Sequence, residues 1–431
     1  MNRNTFVNSK LKSGLLAWAN LFDVFTMLDS NGLACNPLAT HFSEYELVLA
    51  VGVESELKAS ENPFEELRSF IANSYSFGYF SYDLKNHLEK LSSSNFDGLN
   101  FPDIHFYKPL HIVGITKSGS LHILKSSINE QDLKQEIELQ VASTPNIVHT
   151  STSPRILGRI SKDCYIQTIE RIKEHIRLGD IYELNYCQEF YASSCTINPL
   201  ETYLTLCQIS PTPFACLYKH KSHYLISASP ERYILKKGNS VISQPIKGTI
   251  KRGNTDEEDN QLKNLLKNDP KERAENVMIV DLVRNDLSKI ALDGSVNVTE
   301  LFGIYPFKQV FQMISTVQAE VDPSTNPVDI IRATFPMGSM TGAPKVRAMQ
   351  LIEEYEQTKR SLYSGSVGFF APNGDFDFNV VIRSILYNSD NQYLSFSVGS
   401  AITIGSEPRR EYDECLIKAK AIMQALNQKS C

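Results

Sequence analysis

No histidine follows His223, although the chain continues to Cys431. Chemistry carried by the C-terminal half must therefore run on Lys, Glu, Asp, Tyr or Arg rather than on imidazole. The eight cysteines, at 35, 164, 187, 195, 207, 216, 415 and 431, form no Cys-x-x-Cys pair and no zinc-ligand spacing. That excludes a cysteine-based zinc module and leaves small core residues in a reducing compartment. No apolar run approaches the roughly 20 residues that span a bilayer, and the apolar stretch at 15–22 is broken by Asn20 and lacks a signal-type cleavage site. Basic charge is short as well: a net charge of -6 and a pI near 5.9 leave no electrostatic footprint for nucleic acid. Repeats and low-complexity tracts are absent. A cytoplasmic protein acting on small molecules is expected.

With 42% hydrophobic and 21% charged residues, the composition is that of an ordinary globular protein. At 431 residues the chain exceeds one simple core, so two domains or one large layered body are expected. Segments 46–53 and 110–123 are rich in β-formers, and 77–91 passes from a strand-like run into a helical one. A Ser-, Thr-, Pro- and Asn-rich stretch at 142–155 reads as a connection between an N-terminal region, 1–141, and a second region, 155–431. After it, Ser161 can cap a helix whose apolar residues Tyr165, Ile169, Ile172 and Ile176 recur at helical spacing, with Gly179 closing it. Asp269, Pro270 and Glu272 form a cap, a first-turn proline and a capping-box acid. Pro344 and Pro408 sit at the starts of two further helices.

On those helices Glu272 and Glu275 lie three apart, as do Glu411 and Glu414, with Lys418 four residues further on. Such pairs are usually solvated surface. Here the apolar run 277–283 implies a buried helix end, and an oxygen-only carboxylate set suits Mg²⁺. The stretch 241–250 alternates like a strand, placing Lys247, Thr249 and Lys251 on one face. A strand lysine is usually an exposed edge residue, but Ile246 and Ile250 favour a cleft, where a desolvated lysine near another cation has its pKa pushed down and becomes a nucleophile. Arg383, in the apolar run 378–385, needs an anionic partner: either an internal carboxylate or a bound one. Gly338, Gly342 and Gly399 mark tight backbone where amides can meet an anion.

Together these residues resemble the chorismate-binding family, which includes anthranilate synthase, aminodeoxychorismate synthase, isochorismate synthase and salicylate synthase. The resemblance covers about 155–427 and rests on several blocks in the family's order. These are Gly179-Asp180-Ile181-Tyr182, Ser229-Pro230-Glu231-Arg232, the helix from Glu275 to Asp286, Gly342-Ala343-Pro344-Lys345 and Glu411-Tyr412-Asp413-Glu414. A weaker likeness runs over 20–130. It implies an α+β fold of two large antiparallel β-sheets packed as a sandwich with helices outside, the N-terminal region contributing to the same sandwich. Position by position, it implies Mg²⁺ held by Glu275 and Glu414 with Glu272 and Glu411 in support. Tyr363 and Arg383 would bind the enolpyruvyl carboxylate, Glu231 would be a general acid, and Thr249, Ser339, Gly399 and Lys418 would line the pocket.

The Pro-Ile-x-Gly-Thr motif reads Pro245-Ile246-Lys247-Gly248-Thr249; lysine at this place is the mark of the aminodeoxychorismate synthase branch, and most relatives carry alanine. The resemblance then implies covalent attack by Lys247 at ring C2 and amination at C4, with ammonia from a glutamine amidotransferase partner and a separate lyase downstream, in p-aminobenzoate and folate synthesis. Amination at C2, as in anthranilate synthase component I, is the alternative, and a catalytically weak ligand-binding relative is a third reading. An effector pocket, for tryptophan or a related ligand, is implied between Met27-Leu28-Asp29-Ser30 and Ser210-Pro211-Thr212-Pro213-Phe214. Two residues depart from the family pattern: Gln312 stands where a histidine is usual, and Ala401 where a glycine is common.

Overall fold

The computed structural model describes residues 3–33, 42–58, 61–143 and 153–427. Two antiparallel sheets dominate it, one of 11 strands and one of 10, which is the two-sheet α+β architecture expected from the sequence. Both sheets draw strands from the two ends of the chain. In the larger sheet, Val24–Asp29 pairs with Phe214–His220 on one side and Tyr45–Val51 on the other. In the smaller, Ser76–Phe80 pairs with Ser366–Phe370. The N-terminal residues are thus hydrogen-bonded into the same layers as the C-terminal ones. The Ser- and Thr-rich connection expected at 142–155 falls largely outside the described residues.

Alternation along the strands explains the layering. Val24, Val48 and Ala50 join the core shared with Phe77, Tyr79 and Tyr107 of the smaller sheet. Between them in sequence, Phe25, Met27, Leu47 and Leu49 turn the other way, onto Leu15, Trp18, Tyr165, Ile169 and Ile422 of the outer helices. A strand covered on both faces reads as a continuous apolar run, as 47–51 does. The Tyr107 hydroxyl crosses the sandwich to donate to the Ala50 carbonyl at 2.9 Å and meets the Thr26 hydroxyl at 3.0 Å, satisfying a polar group that burial would otherwise penalise.

Helix starts follow their caps. The Ser161 hydroxyl accepts from the Cys164 amide and opens Lys162–Arg177. The Asp269 carboxylate accepts from the amides of Lys271 and Glu272 and opens Pro270–Ser288, while Lys345–Tyr355 and Pro408–Ala425 begin at the expected prolines. Two expectations about strands do not hold. The stretch 241–250 is two strands, Ser240–Gln244 and Ile246–Lys251, because Pro245 has no amide to continue the ladder. The run 378–385 is likewise broken: strands end at Asn379 and restart at Ser384, and Arg383 has a left-handed φ of 52°.

Candidate active site

The strand Glu183–Ala192 carries one wall of the site. Period two turns Leu184 and Tyr186 into the core under the outer helices and points Glu183, Asn185 and Cys187 the opposite way. Each of the three makes a defined contact. Glu183 Oε1 accepts from Lys247 Nζ at 3.0 Å, Asn185 Nδ2 donates to the Ser339 carbonyl at 2.8 Å, and Cys187 Sγ donates to the Tyr363 hydroxyl at 3.5 Å. Cys187 is also opposite Gly399 in the sheet register. A β-carbon at 399 would stand 2.3 Å from the Tyr186 carbonyl oxygen, so only glycine fits there.

Lys247 belongs to the smaller sheet and Glu183 to the larger, so their ion pair spans the sandwich. The expected alternation of Lys247 with Thr249 is interrupted by a register shift between Ile246 and Thr249 and by the φ of 97° at Gly248, a conformation glycine adopts without strain. In consequence the Lys247 side chain is 11% exposed, whereas Thr249 faces solvent. The electrostatics also differ from the expectation of a depressed lysine. Burial alone would lower the Lys247 pKa, but the carboxylates of Glu183, Glu275 and Glu231 outweigh it and raise it, so the resting side chain is an ammonium.

Glu272 and Glu275 occupy the first turns of Pro270–Ser288, and Glu411 and Glu414 those of Pro408–Ala425, where the helix dipole favours anions. Lys271 unites the four: its Nζ lies 3.7 Å from Glu275 and 3.8 Å from Glu411, and all four carboxylates act to raise its pKa against its burial. Glu275 Oε1 is buried without a hydrogen bond among the described residues, and burial pushes this carboxyl up to about 7. Glu414 accepts an ion pair from Lys418 at 2.7 Å, and Lys418 also donates to the Gly399 carbonyl at 2.9 Å. That oxygen faces the Lys271 ammonium instead, and an oxygen-only set already drawn to a cation, with no imidazole, has the chemistry of a hard-cation site such as one for Mg²⁺.

Glu231 is 5% exposed. Its burial pushes the carboxyl up to about 7, with Ser339, Lys247 and the Ile246 amide pulling back part of the shift, so a large share is protonated at neutral pH. Arg383 has no carboxylate within ion-pair reach among the described residues, and burial lowers its pKa. Of the two partners expected for it, the internal carboxylate is not found among the described residues. Backbone bonds from Ser364 to Val381 and from Val381 to Gly365 hold the Tyr363 and Arg383 segments side by side.

Residues 14–424 match the chorismate binding enzyme family. The chain belongs to that family. It is 36% identical over 360 residues to aminodeoxychorismate synthase component 1 of Bacillus subtilis, covering 81% of this chain and 76% of that protein. It is 32% identical over 378 residues to anthranilate synthase component 1 of Acetivibrio thermocellus, covering 83% and 76%. Its fold superposes with a TM-score of 0.78, at 27% identity, on the crystal structure of anthranilate synthase component I from Streptococcus pneumoniae, covering 91% of this chain and 93% of that one.

In this member of the chorismate-binding family several motif residues serve the frame rather than the pocket. Lys345 of the Gly-Ala-Pro-Lys block is half-buried in an ion pair with the buried Asp286, the end of the helical block. Asp180 meets His175 at 2.7 Å and Arg347 at 3.4 Å. Arg232, next to Glu231, turns away to Asp377 at 3.0 Å and Gln244 at 2.7 Å. Ser30, Pro213 and Phe214 line one cavity of about 200 Å³, together with Glu46, Arg232 and Asp377. Gln312 is buried opposite Thr249 with its Oε1 unpaired among the described residues, and Ala401 lies opposite Asn185. Glu183 and Lys271 are neighbours of the candidate residues that the sequence did not single out; Glu183 directly follows the Gly179–Tyr182 block, and Lys271 lies between the cap and Glu272.

Proposed function

We propose that this chain aminates chorismate at C4, giving 4-amino-4-deoxychorismate, with Lys247 as covalent nucleophile. The observation that carries the reading is the placement of Lys247 Nζ among Glu183, Glu231 and Glu275 inside the sandwich, where a merely structural lysine would not need three carboxylates. The Lys247 proton passes to Glu183, 3.0 Å away, and the free amine bonds to ring C2. Both conjugated ring double bonds shift, C1=C2 to C1=C6 and C5=C6 to C4=C5, as the C4–O bond breaks and Glu231 donates its proton so that water leaves. Ammonia then bonds to C4 as both double bonds shift back and the C2–N bond breaks. Lys247 departs as an amine, and the ammonium formed at C4 gives up a proton.

Arg383 and Tyr363 would receive the enolpyruvyl carboxylate, and Ser339, Gly399 and Lys418 would border the ring; Thr249, turned to solvent, would not. Glu275 and Glu414, with Glu272 and Glu411, would hold Mg²⁺, which when bound neutralises the acidic wall toward a dianionic substrate. Ammonia would come from a glutamine amidotransferase partner, in p-aminobenzoate and folate synthesis in the cytoplasm; no described helix is long and apolar enough to cross a membrane. The cavity at Ser30, Pro213 and Phe214 would take the effector.

Two outcomes test this assignment. Glu183→Gln removes both the acceptor of the Lys247 proton and one of the charges that keep Lys247 protonated, so kcat should fall and the acidic limb of the kcat/KM profile should move to lower pH. An unmoved limb would show that the pair is not coupled in the catalytic state. Aromatising the product requires a base to take a ring proton as pyruvate leaves. Gln312 is an amide and cannot act as that base. With chorismate, ammonium and Mg²⁺ but no lyase, the product should remain non-aromatic, with pyruvate no faster than spontaneous decay. Stoichiometric pyruvate with an amine ortho to the carboxylate would instead restore the anthranilate synthase reading.

A further inference from the structure

Away from this site, three side chains distant in sequence converge at the rim of the sandwich. Glu56 lies on Ser55–Lys58 and His105 on Ile104–Lys108, adjacent strands of the smaller sheet. His220 ends Phe214–His220 of the larger sheet. Glu56 Oε2 is 3.2 Å from His105 Nε2 and 3.5 Å from His220 Nε2, and the three donor atoms lie within 4.8 Å of one another. Donors about 2.0–2.1 Å from a tetrahedral Zn²⁺ stand ~3.3 Å apart along each edge. The two separations from Oε2 match that edge before any ion is placed.

We propose that Glu56, His105 and His220 form a Zn²⁺ site that ties the two sheets together at their rim. His220 is 7% exposed, yet neither of its ring nitrogens has a hydrogen bond among the described residues, an expensive arrangement for a polar ring unless a ligand completes it. His105 is oriented from behind: the Tyr218 hydroxyl engages its Nδ1, the outer contact that ligating histidines commonly use to fix the ring. Burial pushes His105 down to about 3 and His220 down to about 4, so both rings are neutral and offer a lone pair near pH 7. Glu56 is partly exposed, its Oε1 holding Lys58 at 2.9 Å, which leaves Oε2 for the ion and an open side for water as fourth ligand. His223, the other nearby ring, is engaged with Asn388 at 3.2 Å. Two imidazoles select zinc or cobalt over Mg²⁺, setting this site apart from the carboxylate set around Lys271.

The test uses the full chain, stripped of metal and kept in excess Mg²⁺, with Zn²⁺ titrated calorimetrically and Co²⁺ as an optical probe. The parent should bind one Zn²⁺ per chain that Mg²⁺ does not displace, gain thermal stability, and show the visible d–d bands of low-coordinate Co²⁺. Glu56→Gln and His220→Gln should each weaken Zn²⁺ binding by at least roughly 100-fold and lose the Co²⁺ bands, while turnover of chorismate with Mg²⁺ stays at the parent level. Glu56 is at the surface, so its variant remains informative if His220→Gln does not fold. Absence of the Co²⁺ bands in the parent, or their survival with full stoichiometry in Glu56→Gln, would overturn the proposal.

Discussion

Lys247→Ala should reduce amination at C4 by on the order of 10³-fold or more, because it removes the nucleophile itself rather than a group that assists it. The same change leaves Glu183, 1% exposed at its side chain, as an uncompensated buried charge, which costs about 3–5 kcal/mol when one partner of such a pair is lost. Lys247→Gln is therefore the sharper variant: its amide can still donate to Glu183 but cannot form the C2–N bond. Both should retain Mg²⁺-dependent chorismate binding. With ammonia withheld, the parent should carry a ring adduct on Lys247, seen by mass spectrometry of the quenched protein, and the variants none. A Lys247→Gln protein making product at the parent rate would end the covalent assignment.

Chelation should lower turnover by at least roughly 10²-fold and added Mg²⁺ should restore it, as expected for a cation that supplies several kcal/mol of charge stabilisation. Stability offers a reading independent of catalysis. Burial pushes Glu275 from 4.5 up to about 7, so without metal the folded state prefers the protonated carboxyl. Its contribution to stability is present below the unfolded value of 4.5 and is lost as pH rises through about 7. A cation competes with that proton, so the gain in Tm from Mg²⁺ should be small below about pH 6 and large above about pH 8. Glu275→Gln should flatten this dependence. Full activity in excess chelator, with a Tm indifferent to Mg²⁺ at high pH, would leave both glutamate pairs with a structural role only.

The sequence by itself determined whatever depends on neighbours a few residues apart. Caps and prolines set the starts of Lys162–Arg177, Pro270–Ser288 and Pro408–Ala425, and helical spacing put Glu272 beside Glu275 and Glu411 beside Glu414. Ordered motifs carried the family and the two-sheet fold. Only the tertiary structure decided the rest, since each remaining feature needs groups far apart in the chain. The charge state of Lys247 is set by Glu183, 64 positions away, so a local reading of its flanking isoleucines had the direction of the pKa reversed. Lys271, an ordinary helix lysine in sequence, becomes the common neighbour of four carboxylates because two helix starts converge. Pro245 broke a run that alternation joined, the apolar run around the left-handed Arg383 is likewise interrupted, and the Glu56, His105 and His220 cluster draws on three strands whose spacing matches no motif. Hydrophobic and hydrogen-bonding periodicities are written along the chain, whereas the electrostatics of a buried site arise from charges that only packing of the two sheets brings together.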